Sequence, residues 1–351
     1  MTNRKLADYG IRIGEMEPGA LGKITDVPGV RVGHATVDDA HSKTGVTVVM
    51  PCEENPFADK LTAASFVLNG FGKTAGLMQI DELGTLETPI ALTNTLSVGV
   101  VHDALVGYMI ERCAGEGIEL TSVNPVVCEC NDSVLSDIRR RAVTQAHVRA
   151  AIDSARLDFA EGDVGAGKGT VCHGLKGGIG SASRIVPVGA KKYTLGVLVQ
   201  SNHGRLADLT VQGQPIGVGI ADEAARAECD RGSIIMILAT DLPVSDRQLR
   251  RILKRMSVGI IRLGSFIGHG SGEVMIGFTT ANRMRMDGAP TLRHEILRED
   301  LIGGAFRAAA EACEEAVLRS MLCADRTAGV SGAVKEPIAP YLQAFFGGKR
   351  T

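Results

Sequence analysis

Eleven residues, Arg231-Gly232-Ser233-Ile234-Ile235-Met236-Ile237-Leu238-Ala239-Thr240-Asp241, constrain the fold more than any other stretch of the chain. A polar residue, a glycine and a serine lead straight into five consecutive large apolar side chains. A short, isoleucine-rich run of this kind, closed by Thr-Asp-Leu-Pro, reads as a strand buried on both faces. Ser233 at its head has two readings. It is an ordinary strand start, or the Gly232–Ser233 bond is cut and Ser233 becomes a new N-terminus. In the second case its hydroxyl is a nucleophile activated by its own amine.

The surrounding chain is long enough, at 351 residues, for one large domain or two ordinary ones. Its 38 basic and 40 acidic residues are spread without long blocks and leave a net charge of −2, which argues against a nucleic-acid groove or an anionic-membrane surface. With nine Phe, four Tyr and no Trp, platforms for stacking bases are not expected. The 43 glycines cluster between apolar runs without a collagen-like period and imply many tight turns. Eight cysteines, Cys229 among them, form no CxxC spacing and read as reduced core thiols of a cytoplasmic protein. No apolar run approaches the length of a membrane span, and the N-terminus lacks a secretory apolar region.

In order, residues 1–22 read as a loosely packed arm and 23–32 as a short strand, a Pro-Gly turn and a second strand start. Further strands are expected at 45–51, 66–70, 89–94, 125–130, 195–202 and 274–280, and helices at 97–115, 135–151 and 301–322. Residues 162–180 hold eight glycines. Residues 205–232 look like an exposed linker and a plausible cleavage region. Ser245 stands three residues ahead of Gln248, a capping box before a helix of twelve to nineteen residues. Strands and helices do not alternate regularly, which disfavours a TIM barrel. An α/β chain with helices outside stacked sheets fits better.

Few local motifs carry chemistry. Gly162-Asp163-Val164-Gly165-Ala166-Gly167-Lys168-Gly169 nearly matches a P-loop, but Gly169 replaces the hydroxyl that would ligand Mg²⁺ and no convincing strand precedes it. Nucleotide binding there is an alternative to a loop that only shapes backbone. The eight histidines have no metal spacing. Ser271 and Glu273 are two residues apart and share a face if extended. Such a pair can orient an amine or relay a proton. Asn202, at a strand exit, can supply an oxyanion donor or cap backbone.

Several segments in the same order resemble the DmpA-like L-aminopeptidase/D-amidase-esterase family, which includes the β-peptidyl aminopeptidases. They are Ile24–His34, Thr44–Val48, Thr93-Asn94-Thr95, Glu161–Thr170, Lys176–Arg184, Val199–Asn202, Gly232–Ile235 with Ala239-Thr240-Asp241, and Ser271-Gly272-Glu273. The resemblance covers nearly the whole chain. It implies one hydrolase domain, 1–351, with the αββα sandwich also associated with ornithine acetyltransferase. By the resemblance the chain is cut between Gly232 and Ser233 into pieces 1–232 and 233–351. It also implies Ser233 as nucleophile, Ser271 and Glu273 as its support, and Asn202 as oxyanion donor. Substrates would be short peptides, amides or esters, hydrolysed or passed to an acceptor amine. No metal or cofactor is implied, and the assembly would be a homo-oligomer, a tetramer of processed units. One departure stands out. Members often carry an aromatic residue after the Glu-Thr that here is Glu129-Cys130, and this chain has Asn131, so substrate contacts at Glu129 and Asn131 are expected to differ.

Overall fold

The computed structural model describes residues 4–227, 231–286 and 288–347. Two sheets lie between two layers of helix. The first sheet has the order β1-β2-β5-β6, from Arg31–Asp38 (β1), Lys43–Met50 (β2), Ile90–Asn94 (β5) and Val126–Cys130 (β6). The second runs β4-β3-β10-β9-β8-β7, from Asp59–Gly70 (β3), Thr85–Leu86 (β4), Gly178–Val188 (β7), Lys191–Asn202 (β8), Arg231–Thr240 (β9) and Gly270–Arg285 (β10). The expected run is therefore β9, inside the larger sheet, antiparallel to β8 and parallel to β10.

Its uninterrupted apolar sequence follows from having a core on each side. Ile235, Ile237 and Ala239 join Leu92, Val126 and Cys128 between the two sheets. Ile234, Met236 and Leu238 face the other way, into a core closed by helices Asp246–Leu253 (α3), Met256–Arg262 (α4) and Gly303–Leu322 (α5). A third core lies outside the smaller sheet, where Val98–Gly115 (α1) and Gln145–Asp153 (α2) cover Val46, Val48 and Val127. The layers are thus helix, sheet, sheet, helix, as the resemblance implies. Cys128 and Cys130 both enter the inter-sheet core, as their spacing predicts. The seven cysteines among the described residues are free, six of them buried; Cys229 lies outside the described residues.

Five local expectations need correction. The N-terminal segment is not a loose arm: Leu6, Ile11 and Ile13 are buried in the helix-side core, and the Ile13 carbonyl accepts from the buried Arg184 guanidinium at 2.8 Å. Residues 24–26 form a 3-10 turn rather than a strand, because Asp26 accepts from the Leu21 and Lys23 backbone N–H groups and curls the segment. The helix expected from Leu135 starts only at Gln145, since the β1–β2 hairpin captures the preceding backbone: Asp137 N–H donates to the His41 carbonyl at 3.1 Å, and Ser136 Oγ accepts from Lys43 N–H at 3.0 Å. The Ser245 capping box is present, but its helix ends at Leu253, and a tight turn at Arg255 restarts it as α4. That break seats Gly259 against α5, where a Cβ would stand 2.7 Å from the Ala310 carbonyl oxygen. Residues 205–227 are more than a linker, because Leu209, Val211 and Ile216 are fully buried. The end of that expected linker, 228–230, lies outside the described residues.

Arg184 locks the N-terminal segment to α5. Its side chain, 2% exposed, contacts Glu311 at 3.3 Å, Glu315 at 2.7 Å and the Ile13 carbonyl. Removing one partner of such a pair leaves a buried charge short of its counter-ion, here Glu311, which keeps only Arg307 at 3.6 Å and two backbone N–H donors. Arg184→Met is expected to lower stability by about 3–5 kcal/mol, read as a fall in the urea midpoint at unchanged slope.

Candidate active site

The head of β9 opens into a cavity of about 690 Å³ lined by Ser233, Gly232, Asn202, Glu129, Asn131, Thr95, Lys73 and Lys335, among others. Ser233 is 5% exposed and pairs with Asn202 of β8 on one side and Gly272 of β10 on the other. Gly232 has φ +137°, and a Cβ there would stand 2.0 Å from the Asn202 carbonyl oxygen. Both facts demand glycine. The peptide group just before Ser233 is therefore held in backbone that an L side chain cannot adopt.

Asn202 lies with its Oδ1 accepting from Val171 N–H at 2.9 Å. The carbonyl end of the amide is thereby fixed, and its NH₂ end is the donor left to the cavity. Glu129, at the end of β6, is 4% exposed; Oε1 accepts from Lys73 N–H at 3.0 Å and Oε2 accepts from the Thr95 hydroxyl. Asn131 reaches the cavity wall, but its Oδ1 caps the following turn by accepting from Ser133 N–H at 2.9 Å.

Ser271 and Glu273 do share a face, and the Ser271 hydroxyl donates to Glu273 Oε1. They are 1% and 0% exposed and do not belong to the cavity lining. Register sets Ser271 beside Gly232 and Glu273 beside Ile234, whose side chain faces the helix-side core. Strand alternation then puts this pair on the opposite face of the sheet from the Ser233 hydroxyl. What lies between the two faces is the Ser233 backbone nitrogen.

Two supporting residues carry no sequence signal of their own. Cys130 Sγ sits beneath Ser233, 3.6 Å from the Ser233 carbonyl oxygen and 3.5 Å from that of Gln200. Burial pushes this thiol well above its ordinary pKa, so it is a donor rather than a nucleophile. Lys176 is fully buried and donates to the carbonyls of Gly167, Thr170 and Gly177 at 3.0, 2.9 and 2.7 Å. Burial pulls its pKa down to about 7, while three carbonyl acceptors tie the glycine-rich loop into the cavity wall. That loop is not a phosphate cradle. Gly165 and Ala166 N–H groups donate to Thr36 and Thr47 hydroxyls, and Lys168 pairs with Asp38 and Asp163, each at 2.9 Å.

A serine at a strand head, a glycine-only peptide unit before it and a fixed amide beside it define a hydrolase built on a buried strand. The chain belongs to peptidase family S58, whose model matches residues 22–335. It is 36% identical over 358 aligned residues to the β-peptidyl aminopeptidase BapA of Sphingosinicella xenopeptidilytica, covering 95% of this chain and 88% of that protein. The β-aminopeptidase of a Burkholderia species superposes with a TM-score of 0.89 at 40% identity, covering 97% of this chain and 98% of the other. The L-aminopeptidase D-Ala-esterase/amidase of Ochrobactrum anthropi, described as a prototype of the serine aminopeptidases with a variant Ntn-hydrolase fold, superposes at 0.91 with 34% identity over 97% of each chain.

Adding a methyl group at Gly232 must displace the Asn202 carbonyl or the strand head. Strain at such positions is typically about 1–3 kcal/mol. Gly232→Ala is expected to fold yet slow any scission at this peptide bond by at least tenfold, read as persistence of the full-length band on a denaturing gel over time.

Proposed function

We propose that this chain is a self-processing serine aminopeptidase that removes N-terminal residues from short peptides, amides or esters. The observation that carries the reading is the glycine-only backbone at Gly232, pressed against Asn202 at the mouth of the cavity that holds Ser233. Substrates beginning with a β-amino acid are the first to try, given the names of the Sphingosinicella and Burkholderia relatives.

In the self-processing step, Ser233 Oγ attacks the Gly232 carbonyl carbon. The C–N bond breaks as the C–O bond forms, and the proton lost from Oγ ends on the freed nitrogen. Water then hydrolyses the resulting ester, leaving a Gly232 carboxylate and a free Ser233 amine and hydroxyl. An unperturbed α-amine titrates near ~7.7–8.0, so part of it is neutral at pH 7 and can take the Oγ proton in the next cycle. Oγ attacks the substrate carbonyl, the amine returns the proton to the leaving nitrogen, and water releases the acyl group. The Asn202 amide and a backbone N–H hold the developing oxyanion.

The remaining residues have separate tasks in this reading. The Ser271–Glu273 pair, behind the sheet, orients the Ser233 amine rather than the substrate. Glu129, inside the cavity, is the carboxylate that meets the substrate ammonium group. Asn131 leaves room on that wall where an aromatic side chain would fill it. A cytoplasmic location and a homo-oligomer of processed units, a tetramer by the family resemblance, belong to the same proposal. Among the described residues no helix is long and apolar enough to cross a membrane.

Intact mass under denaturing conditions tests the reading. Pieces of 232 and 119 residues (351 − 232) are expected, and a single chain for Ser233→Ala. A single uncut wild-type chain that still hydrolyses aminoacyl p-nitroanilides would falsify it. Asn202→Ala, assayed in processed protein, is expected to lower turnover by about 10²–10³ with a smaller change in KM.

A further inference from the structure

Among the described residues that line the cavity, three side chains are charged: Glu129, Lys73 and Lys335. The proposed chemistry uses only the carboxylate. Among the described residues neither lysine forms an ion pair. The Lys73 ammonium group lies 4.9 Å from the centroid of the Phe71 ring, while its backbone N–H is committed to Glu129 Oε1. Lys335 Nζ donates to the Gly174 carbonyl at 3.0 Å, which occupies one of its three N–H donors. The other two are left to an anion.

Backbone contacts hold Lys335 at this wall. It belongs to the short strand Val334–Lys335 and pairs with Thr327. The carbonyl of the next residue, Glu336, accepts from the Lys176 N–H at 2.8 Å. Lys176 is the side chain whose ammonium group gathers the glycine-rich loop. The Glu336 carboxylate pairs with Arg326 at 2.9 Å, so this neighbouring acid is engaged elsewhere. A half-buried lysine pinned at its backbone and at its head loses little freedom when it takes an anion.

Strand order sets the two signs of charge on opposite sides of Ser233. In one direction register leads from Ser233 to Gly272 of β10 and Gly70 of β3, and Lys73 with its bound Glu129 follows closely. Two strand spacings, roughly 10 Å, separate Gly70 from Ser233. In the other direction lies Asn202 of β8, whose Oδ1 holds Val171 N–H, and beyond it Gly174 with Lys335. A substrate with its ammonium group at Glu129 and its scissile carbonyl at Ser233 extends its leaving residue toward Lys335. We propose that Lys335 binds the free C-terminal carboxylate of the substrate, so that short peptides with an unblocked C-terminus are preferred over amides and esters. This inference rests on the aminopeptidase reading given above. Lys335 touches no reacting atom; it selects the leaving group, because a substrate lacking the carboxylate leaves the ammonium group without its partner.

Dipeptides beginning with an α- or a β-amino acid, each as free acid and as C-terminal amide, test this on the processed full-length protein. Product is followed by chromatography. In the wild type the KM for the amide is expected to exceed that for the free acid by at least about tenfold. Lys335→Met is expected to bring the ratio to about one, Lys335→Arg to keep most of it, and Lys73→Met to keep it as in the wild type. Equal KM values for the two forms in the wild type, with both hydrolysed, overturn this proposal and leave the aminopeptidase reading standing. A ratio unchanged in Lys335→Met, or lost in Lys73→Met, overturns it as well. Hydrolysis of neither form overturns both readings. Should Lys335→Met fail to fold, the salt dependence of the wild-type ratio decides: it narrows at high ionic strength if an ion pair holds the carboxylate, and a ratio indifferent to salt overturns the proposal.

Discussion

The double-sided burial of β9 is the constraint on which the molecule depends. A strand with Ile235 and Ile237 toward one core and Ile234 and Met236 toward another cannot shift register by a single residue without exchanging both sets. Its pairings with β8 and β10 are fixed by the same burial, so the position of Ser233 relative to Asn202 and Gly272 is set by the whole sandwich. The head of the strand needs no flexible loop to find its partners. It inherits its placement from seven buried residues behind it, Ile234 to Thr240.

Glycine makes that placement chemically unusual at one point. At Gly232 a left-sided φ and the Asn202 carbonyl together exclude any side chain, so the peptide unit before the hydroxyl is held by neighbours on every side. Strain of this kind persists only where the surrounding structure over-determines it. Here β8 and β10 do so.

Much of this could be read from the chain. The apolar run gave β9, the Ser245–Gln248 box gave the start of α3, and the spacing of Ser271 and Glu273 gave their shared face. Each of those signals is local. What the chain withheld depends on partners distant in sequence. Leu6, Ile11 and Ile13 look like an arm because the Arg184 and α5 surfaces that bury them lie more than 150 residues away. Lys176 looks like a surface lysine until the loop 167–177 closes its carbonyls around the ammonium group. Which face of the sheet Ser271 and Glu273 occupy also depends on inter-strand register, which no single strand encodes.

The order of the larger sheet bears on what a cut before Ser233 would leave. β9 from Ser233 onward and all of β10 lie beyond the scission point, between β3 and β8, which both precede it. The two polypeptides would remain interleaved like fingers of clasped hands, each completing the other's backbone pairing. Separation would require unthreading the central strands and opening both cores at once. Reassembly after full denaturation would become a bimolecular event, dependent on concentration, although the original chain folded alone. Scission would thus turn a self-contained folding problem into a one-way step, with the memory of the intact chain kept only in the weave of the sheet.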